Sequence, residues 1–185
     1  MEGAAGILLA WIGEQPAEPA FLEPVRQGVE ATLQCPVRLD VRPGVPDATL
    51  DARRAQRSST KLLRWLLEDL PAGTGKVVGI TDADLFIPVL TFVFGEAQLG
   101  GRVAVVSLAR LGDRYDGRPA PPQLRTLRVV KECLHELGHT FGLVHCDRPG
   151  CVMSRSNSVL DVDAKRPAFC RDCRIRLRAL RGEDR

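Results

Sequence analysis

Along the N-terminal part of the chain, short apolar runs alternate with longer segments in which apolar residues recur every three or four positions. Residues 6 to 12 are almost continuously apolar, as in a strand covered on both faces. Pro16 and Pro19 then punctuate a turn. From Phe21 onward Leu22, Val25, Val29 and Leu33 recur at helical steps, and Pro36 closes that segment. VRLDV, residues 37 to 41, predicts a second strand. Beyond a proline-rich loop, Ser58 or Ser59 can cap a helix through Leu62, Leu63, Leu66, Leu67 and Leu70, which Pro71, Gly73 and Gly75 end. KVVGIT, residues 76 to 81, predicts a third strand. This βαβαβ alternation implies an α/β fold whose sheet is largely parallel, with right-handed crossovers.

The rhythm then breaks. FVFGEAQLGGRVAVVSLARL holds two strand-like runs separated by a few Gly-rich residues, too short a connection for a crossover helix. One strand, expected near Phe92 to Gly95, must therefore run antiparallel or lie at a sheet edge, which makes the sheet mixed. A loop with Tyr115, Pro119 and Pro121 follows. Pro122 suits the first turn of a helix, along which Leu127, Val130, Leu134, Leu137 and Phe141 keep an apolar face toward the sheet. After His145 the periodicity fades and cysteines appear.

At 185 residues and 44% hydrophobic composition the chain reads as one domain with one substantial core. Net charge is +3, from 26 basic and 23 acidic residues, too balanced to argue for a nucleic-acid partner. The C-terminal arginines 171, 174, 178, 181 and 185 follow a helical spacing beside an apolar stripe of Cys173, Leu177 and Leu180, and read as a solvated helix face. GILLAWIG lacks the basic residues that precede a secretion signal, and no stretch approaches the roughly 18 apolar residues that span a bilayer. The expected setting is cytoplasmic and reducing, with no membrane contact. Six cysteines in such a setting point to metal more than to disulfides.

All three histidines fall in HELGHTFGLVH, which fits H-E-x-x-H-x-x-G-x-x-H. His135 and His139, at i and i+4, share one face of a helix, close enough to hold one ion. Gly142 can take the backbone conformation that ends the helix, and the chain returns His145 as a third ligand. Imidazole suits zinc, and three protein ligands leave a fourth position open. Glu136, pointing to a neighbouring side of the helix, is the candidate general base for activating water and returning its proton to a leaving amine.

Cys146 and Cys151 form C-x4-C, and Cys170 and Cys173 form C-x2-C, the spacing of a closed four-thiolate zinc site. Its first member adjoins His145, so a structural zinc can fix the third catalytic ligand. Disulfides, or a redox C-x-x-C at Cys170 and Cys173, are the alternative. Cys35 and Cys133 lack partners at metal-binding spacing and read as small buried hydrophobes.

HELGHTFGLVHC, the C-V-M at 151 to 153 and FCRDC at 169 to 173 together resemble the archaemetzincin family of metzincin zinc metallopeptidases, over residues 92 to 177. The resemblance implies a compact metzincin-like fold with a twisted mixed sheet, one antiparallel edge strand, an active-site helix and a cysteine-rich, zinc-stapled C-terminal subdomain. It divides a single catalytic domain, 1–185, into an N-terminal part, 1–145, and a C-terminal part, 146–185. It also implies a catalytic zinc on His135, His139 and His145, a structural zinc on Cys146, Cys151, Cys170 and Cys173, Glu136 as base, and Met153 as the Met-turn floor beneath the metal. Some metzincins add a tyrosine ligand two residues after that methionine; here the position is Arg155. The expected activity is hydrolysis of a peptide or protein by a monomeric enzyme, with the peptide added as a strand along the sheet edge and restraint supplied by the loop around Tyr115. The competing reading is a two-zinc adaptor module that performs no physiological hydrolysis.

Overall fold

A computed structural model describes residues 6–13, 19–114 and 117–183. Tyr115, Arg185 and the turn expected at Pro16 lie outside them. The first crossover runs from strand β1 (Ile7–Gly13) through helix α1 (Pro19–Leu33) to β2 (Val37–Pro43). Two short strands, β3 (Leu50–Asp51) and β4 (Gln56–Ser58), precede α2 (Ser59–Glu68) and β5 (Lys76–Thr81). Then come β6 (Leu85–Phe86), β7 (Gly95–Ala97) and β8 (Val103–Ser107). Helices α3 (Pro122–Thr140), α4 (Val159–Ala164) and α5 (Arg171–Leu180) complete the order.

The main sheet has the order β2-β1-β5-β8-β7. Its first four strands are mutually parallel and β7 pairs antiparallel with β8, Gly95 opposite Val106. Successive side chains of a strand point to opposite faces, and β1 divides its apolar run accordingly. Ile7, Leu9 and Trp11 join the core beneath α1 and α3, whereas Leu8, Ala10 and Ile12 join the one beneath α2. The N-terminal strands and helices thus match their apolar patterns. Ser58 is the N-cap of α2, its hydroxyl accepting from the Lys61 amide, while the Ser59 hydroxyl donates to the Phe86 carbonyl.

The edge strand begins later than expected. Val93 donates to the carbonyl of Leu85, so the backbone there belongs to the neighbourhood of β6, and Phe94 is buried in the core. Pairing with β8 starts only where the Phe94 carbonyl accepts from Ser107. A small second sheet, β3-β4-β6, and helix α4 were not anticipated, because two- and three-residue strands carry no readable period.

Helix α3 departs most from its apolar pattern. Val130, Leu134 and Leu137 are buried as expected, but Leu127 is exposed and Phe141 lies half-buried just past the helix end. Arg128, Lys131 and Glu132 are buried instead. Each is partnered from outside the helix, as a buried charge must be. Arg128 grips both carboxylate oxygens of Asp163 at 2.7 Å and donates to the carbonyls of Leu111 and Asp113. Lys131 donates to the carbonyls of Val162 and Asp163 at the end of α4. Lys165 pairs with Glu132 at 3.2 Å. At the other end of α3, Lys76 of β5 donates to the Thr140 carbonyl, a cation placed at the negative end of the helix dipole.

Removing one partner of a largely buried ionic latch leaves the others without compensation. Arg128→Ala should therefore cost about 3 kcal/mol in urea denaturation; a loss below about 0.5 kcal/mol, the level of an exposed pair, would show that the latch does not hold α4.

Candidate metal centres and active site

The last two turns of α3 carry His135 and His139, and the helix stops in a hydrogen-bond pattern that returns the chain toward them. The Gly142 amide donates to the His139 carbonyl and the Leu143 amide to the Gly138 carbonyl, both at 2.9 Å. These are the two bonds of a Schellman motif, which needs a positive φ at the position after the cap. Gly142 supplies it at +103°. His145 follows, its ring centroid 5.3 Å from that of His135 and 4.8 Å from that of His139.

Backbone carbonyls set the ring orientations. His135 Nδ1 lies 2.8 Å from the Val152 carbonyl and His139 Nδ1 2.7 Å from that of Leu143. A carbonyl accepts only, so both Nδ1 atoms carry the hydrogen and both Nε2 atoms keep a lone pair. Those two Nε2 atoms face each other at 3.2 Å. Two lone pairs at that distance repel, and a cation between them removes the conflict. A tetrahedral zinc with nitrogens at about 2.0–2.1 Å separates its ligands by about 3.3 Å, so the donor set fits zinc. Burial lowers the pKa of all three histidines, which favours the neutral, ligating form.

The four thiols expected to form the second site also converge. Cys146, Cys151, Cys170 and Cys173 place their sulfurs within 4.8 Å of one another, Cys146 Sγ being 3.9 Å from Cys170 Sγ. None of the four is joined in a disulfide. Zinc–sulfur bonds of about 2.3 Å give tetrahedral sulfur spacings near 3.8 Å, so this cluster also fits zinc. Burial raises the Cys173 and Cys151 thiols. Cys170 comes down to about 7 despite burial, helped by the Cys173 amide and the neighbouring thiols.

Met153 connects the two clusters. It is fully buried, its carbonyl accepts from the Cys146 amide, and the next residue back, Val152, supplies the carbonyl that orients His135. Its sulfur packs on Gly138 so closely that a Cβ there would lie 2.3 Å away, with Phe169 behind.

Glu136 is buried, and burial together with the nearby Glu132 carboxylate raises its pKa well above the usual range. It faces a cleft of about 720 Å³ that it shares with His135, His139, His145 and the segment from Phe92 to Ala97. Gly95 makes room for it. A Cβ at Gly95 would sit 2.6 Å from Glu136 Oε1 and 2.8 Å from the Val105 carbonyl.

Comparison with known proteins gives the family. The model of the protein family "Peptidase family M54" matches residues 62–179. The chain belongs to that family. Within M54, the chain is 41% identical to an archaemetzincin of Methanocaldococcus jannaschii over 129 residues, 70% of each chain. The crystal structure of an archaemetzincin from Methanopyrus kandleri superposes with a TM-score of 0.82 at 38% identity, covering 95% of this chain and 96% of that one. A zinc-dependent peptidase from Methanocorpusculum labreanum gives a TM-score of 0.80 at 33% identity, over 93% and 100% of the two chains. As a member of M54 the chain is a metzincin-type zinc metallopeptidase, which leaves the adaptor reading without support. Among the described residues no helix is long and apolar enough to cross a membrane.

Two residues of the M54 cleft escaped the reading of the sequence. Glu132 and Lys165 line it beside Glu136. Glu132 could have been found, since it lies three residues before His135 and four before Glu136, on the same helix face. Lys165 had no such signal. Of the two unassigned cysteines, Cys133 is buried as expected, but Cys35, between α1 and β2, is only half-buried.

Gly138 is the position at which the helix and the methionine floor are most tightly matched. Gly138→Ala should destabilise the fold by about 1–3 kcal/mol through overpacking and weaken zinc retention under chelator challenge; wild-type stability and retention would mean that Met153 yields freely.

Proposed function

We propose that residues 1–185 form a single catalytic domain that hydrolyses peptide bonds with a zinc held by His135, His139 and His145 and with Glu136 as general base. The observation carrying this reading is the burial of Glu136 in the same cleft as three imidazoles whose Nε2 lone pairs converge. A core that runs without interruption from Ile7 to Leu177 supports one domain, divided at residue 145 into an N-terminal part and a C-terminal part, 146–185. The second zinc of the proposal is structural, held by Cys146, Cys151, Cys170 and Cys173, with Met153 as the floor between the two sites.

Zinc at the histidines supplies Lewis acidity, which makes water ionisable near neutral pH and draws charge from a carbonyl. The remaining steps belong to the protein. β7 is an edge of the main sheet, so a peptide can add to Gly95–Ala97 as a further strand and present its scissile carbonyl over the imidazoles. Glu136, held against Gly95, takes the proton of the attacking water on a carboxylate oxygen. It then delivers that proton to the departing amine. No side chain forms a covalent bond to substrate. The carbonyls of Val152 and Leu143 keep His135 and His139 in the ligating tautomer throughout. Six free thiols favour a reducing, cytoplasmic setting, and the expected form is a monomer acting on peptide or protein substrates.

Glu136→Ala removes the base and leaves the imidazoles in place. With a peptide library as substrate, kcat/KM should fall by about a hundredfold or more while zinc content is retained; full-rate cleavage by the zinc-loaded variant would overturn the assignment.

A further inference from the structure

The histidines divide the cleft into two unlike ends. The Gly100 amide bonds to the His139 carbonyl, so Leu99 and Val144, both exposed, border the cleft at the C-terminal end of α3. Glu132 lies seven residues earlier on the same helix, about 10 Å away along its axis. Lys165 pairs with it, and Arg155, Ser156 and Asn157 also line the cleft. The Leu99 end is thus apolar, and the other end holds a buried cation, Lys165.

The Lys165 end has unused bonding capacity. Lys165 and Glu132 are 1% and 3% exposed at their side chains, and among the described residues Lys165 makes one side-chain hydrogen bond, to Glu132 Oε1. An ammonium has three donors. The Ser156 hydroxyl is also buried without a partner. A buried polar group left unbonded is rare and calls for an explanation. Arg155 is exposed and forms no ion pair with another described residue. Lys165 and Arg155 thus share the cleft with two carboxylates, Glu132 and Glu136, and donors remain to spare.

Resting on the proposed peptidase activity, we propose that Lys165 is a specificity-determining residue that receives a substrate carboxylate on the leaving-amine side of the scissile bond. A peptide added antiparallel to β7 runs from the Leu99 end of the cleft toward the Lys165 end. The residue before the scissile bond then meets Leu99 and Val144, and the residue after it meets Lys165, Ser156 and Arg155. A carboxylate there accepts charge-assisted hydrogen bonds from the spare donors, whereas a neutral amide makes weaker bonds and an apolar side chain leaves them unbonded. The carboxylate can be the side chain of Asp or Glu, or the free C-terminus of a short peptide.

The test uses zinc-loaded full-length protein and matched peptides with Glu, Gln or Leu after the scissile bond, each as C-terminal amide and as free acid. Wild-type kcat/KM should favour the Glu amide over the Gln amide by tenfold or more. In a Lys165→Met/Glu132→Gln double variant, which leaves no buried charge unpaired, that ratio should fall to near one. A preference for free acid over amide in the Leu pair, abolished by the same double variant, would assign the site to a C-terminal carboxylate and also support the proposal. Binding gives a second readout. Calorimetry on the Glu136→Ala protein should show the Glu amide bound about tenfold more tightly than the Gln amide.

Equal handling of charged and neutral peptides by wild type, or a preference that survives in the double variant, would overturn the proposal. Glu136-dependent cleavage without any carboxylate preference removes this inference and leaves the peptidase assignment standing. Discrimination in calorimetry with no peptide cleaved at all does the reverse.

Discussion

The polar face of α3 is the constraint on which the rest of the structure depends. Arg128, Lys131, Glu132, His135, Glu136 and His139 fall at positions i, i+3, i+4, i+7, i+8 and i+11, so a helix gathers them along one side. That side is mostly buried. In a buried setting every one of these groups needs a partner, and the helix offers none because its own backbone groups are already bonded. Most of the partners come from the chain beyond it, and the Leu111 and Asp113 carbonyls before it also take Arg128. Asp163 and the end of α4 take the first turns, Lys165 takes Glu132, and the carbonyls of Val152 and Leu143 take the imidazoles. The C-terminal segment is thus less an appendage than the complement of an otherwise unsatisfiable helix.

This requirement also accounts for the position of the cysteines. A chain that must leave Gly142, present His145, run back beneath Gly138 with Met153 and then place Asp163 on Arg128 has little regular structure of its own. The convergence of Cys146, Cys151, Cys170 and Cys173 closes it, with the Cys146 amide bonded to the Met153 carbonyl at the junction. A four-thiolate ion there would hold the loop by covalent-like bonds where hydrophobic periodicity is missing. The two clusters then share one mechanical path, from sulfur through Cys146 to His145.

What was legible in the sequence follows the same division. Strands β1, β2 and β5 and helices α1 and α2 announce themselves because apolar residues at period two or 3.6 are what bury them, and the histidine and cysteine spacings were readable because ligand geometry fixes offsets along the chain. The edge strand was located a few residues early, since Phe92 and Phe94 look strand-like although they serve the core and the neighbourhood of β6. Helix α4 and the charges that bind it were not legible. An arginine, a lysine and a glutamate in a helix normally read as its solvated face, and only the distant Asp163 and Lys165, which no local pattern connects to them, make them interior residues. Gly95 and Gly138 were silent for a similar reason, because their necessity lies in Glu136 and Met153 pressing against them.

The polar face of α3 and the loop beyond it are proposed to form two distinct zinc sites joined at His145 and Cys146. Zinc absorption spectroscopy combined with metal analysis on the purified protein addresses this directly. The expected result is two zinc ions per chain, with one shell of three imidazole nitrogens at about 2.0–2.1 Å and another of four sulfurs at about 2.3 Å. One zinc per chain, or a single mixed nitrogen and sulfur shell, would contradict it.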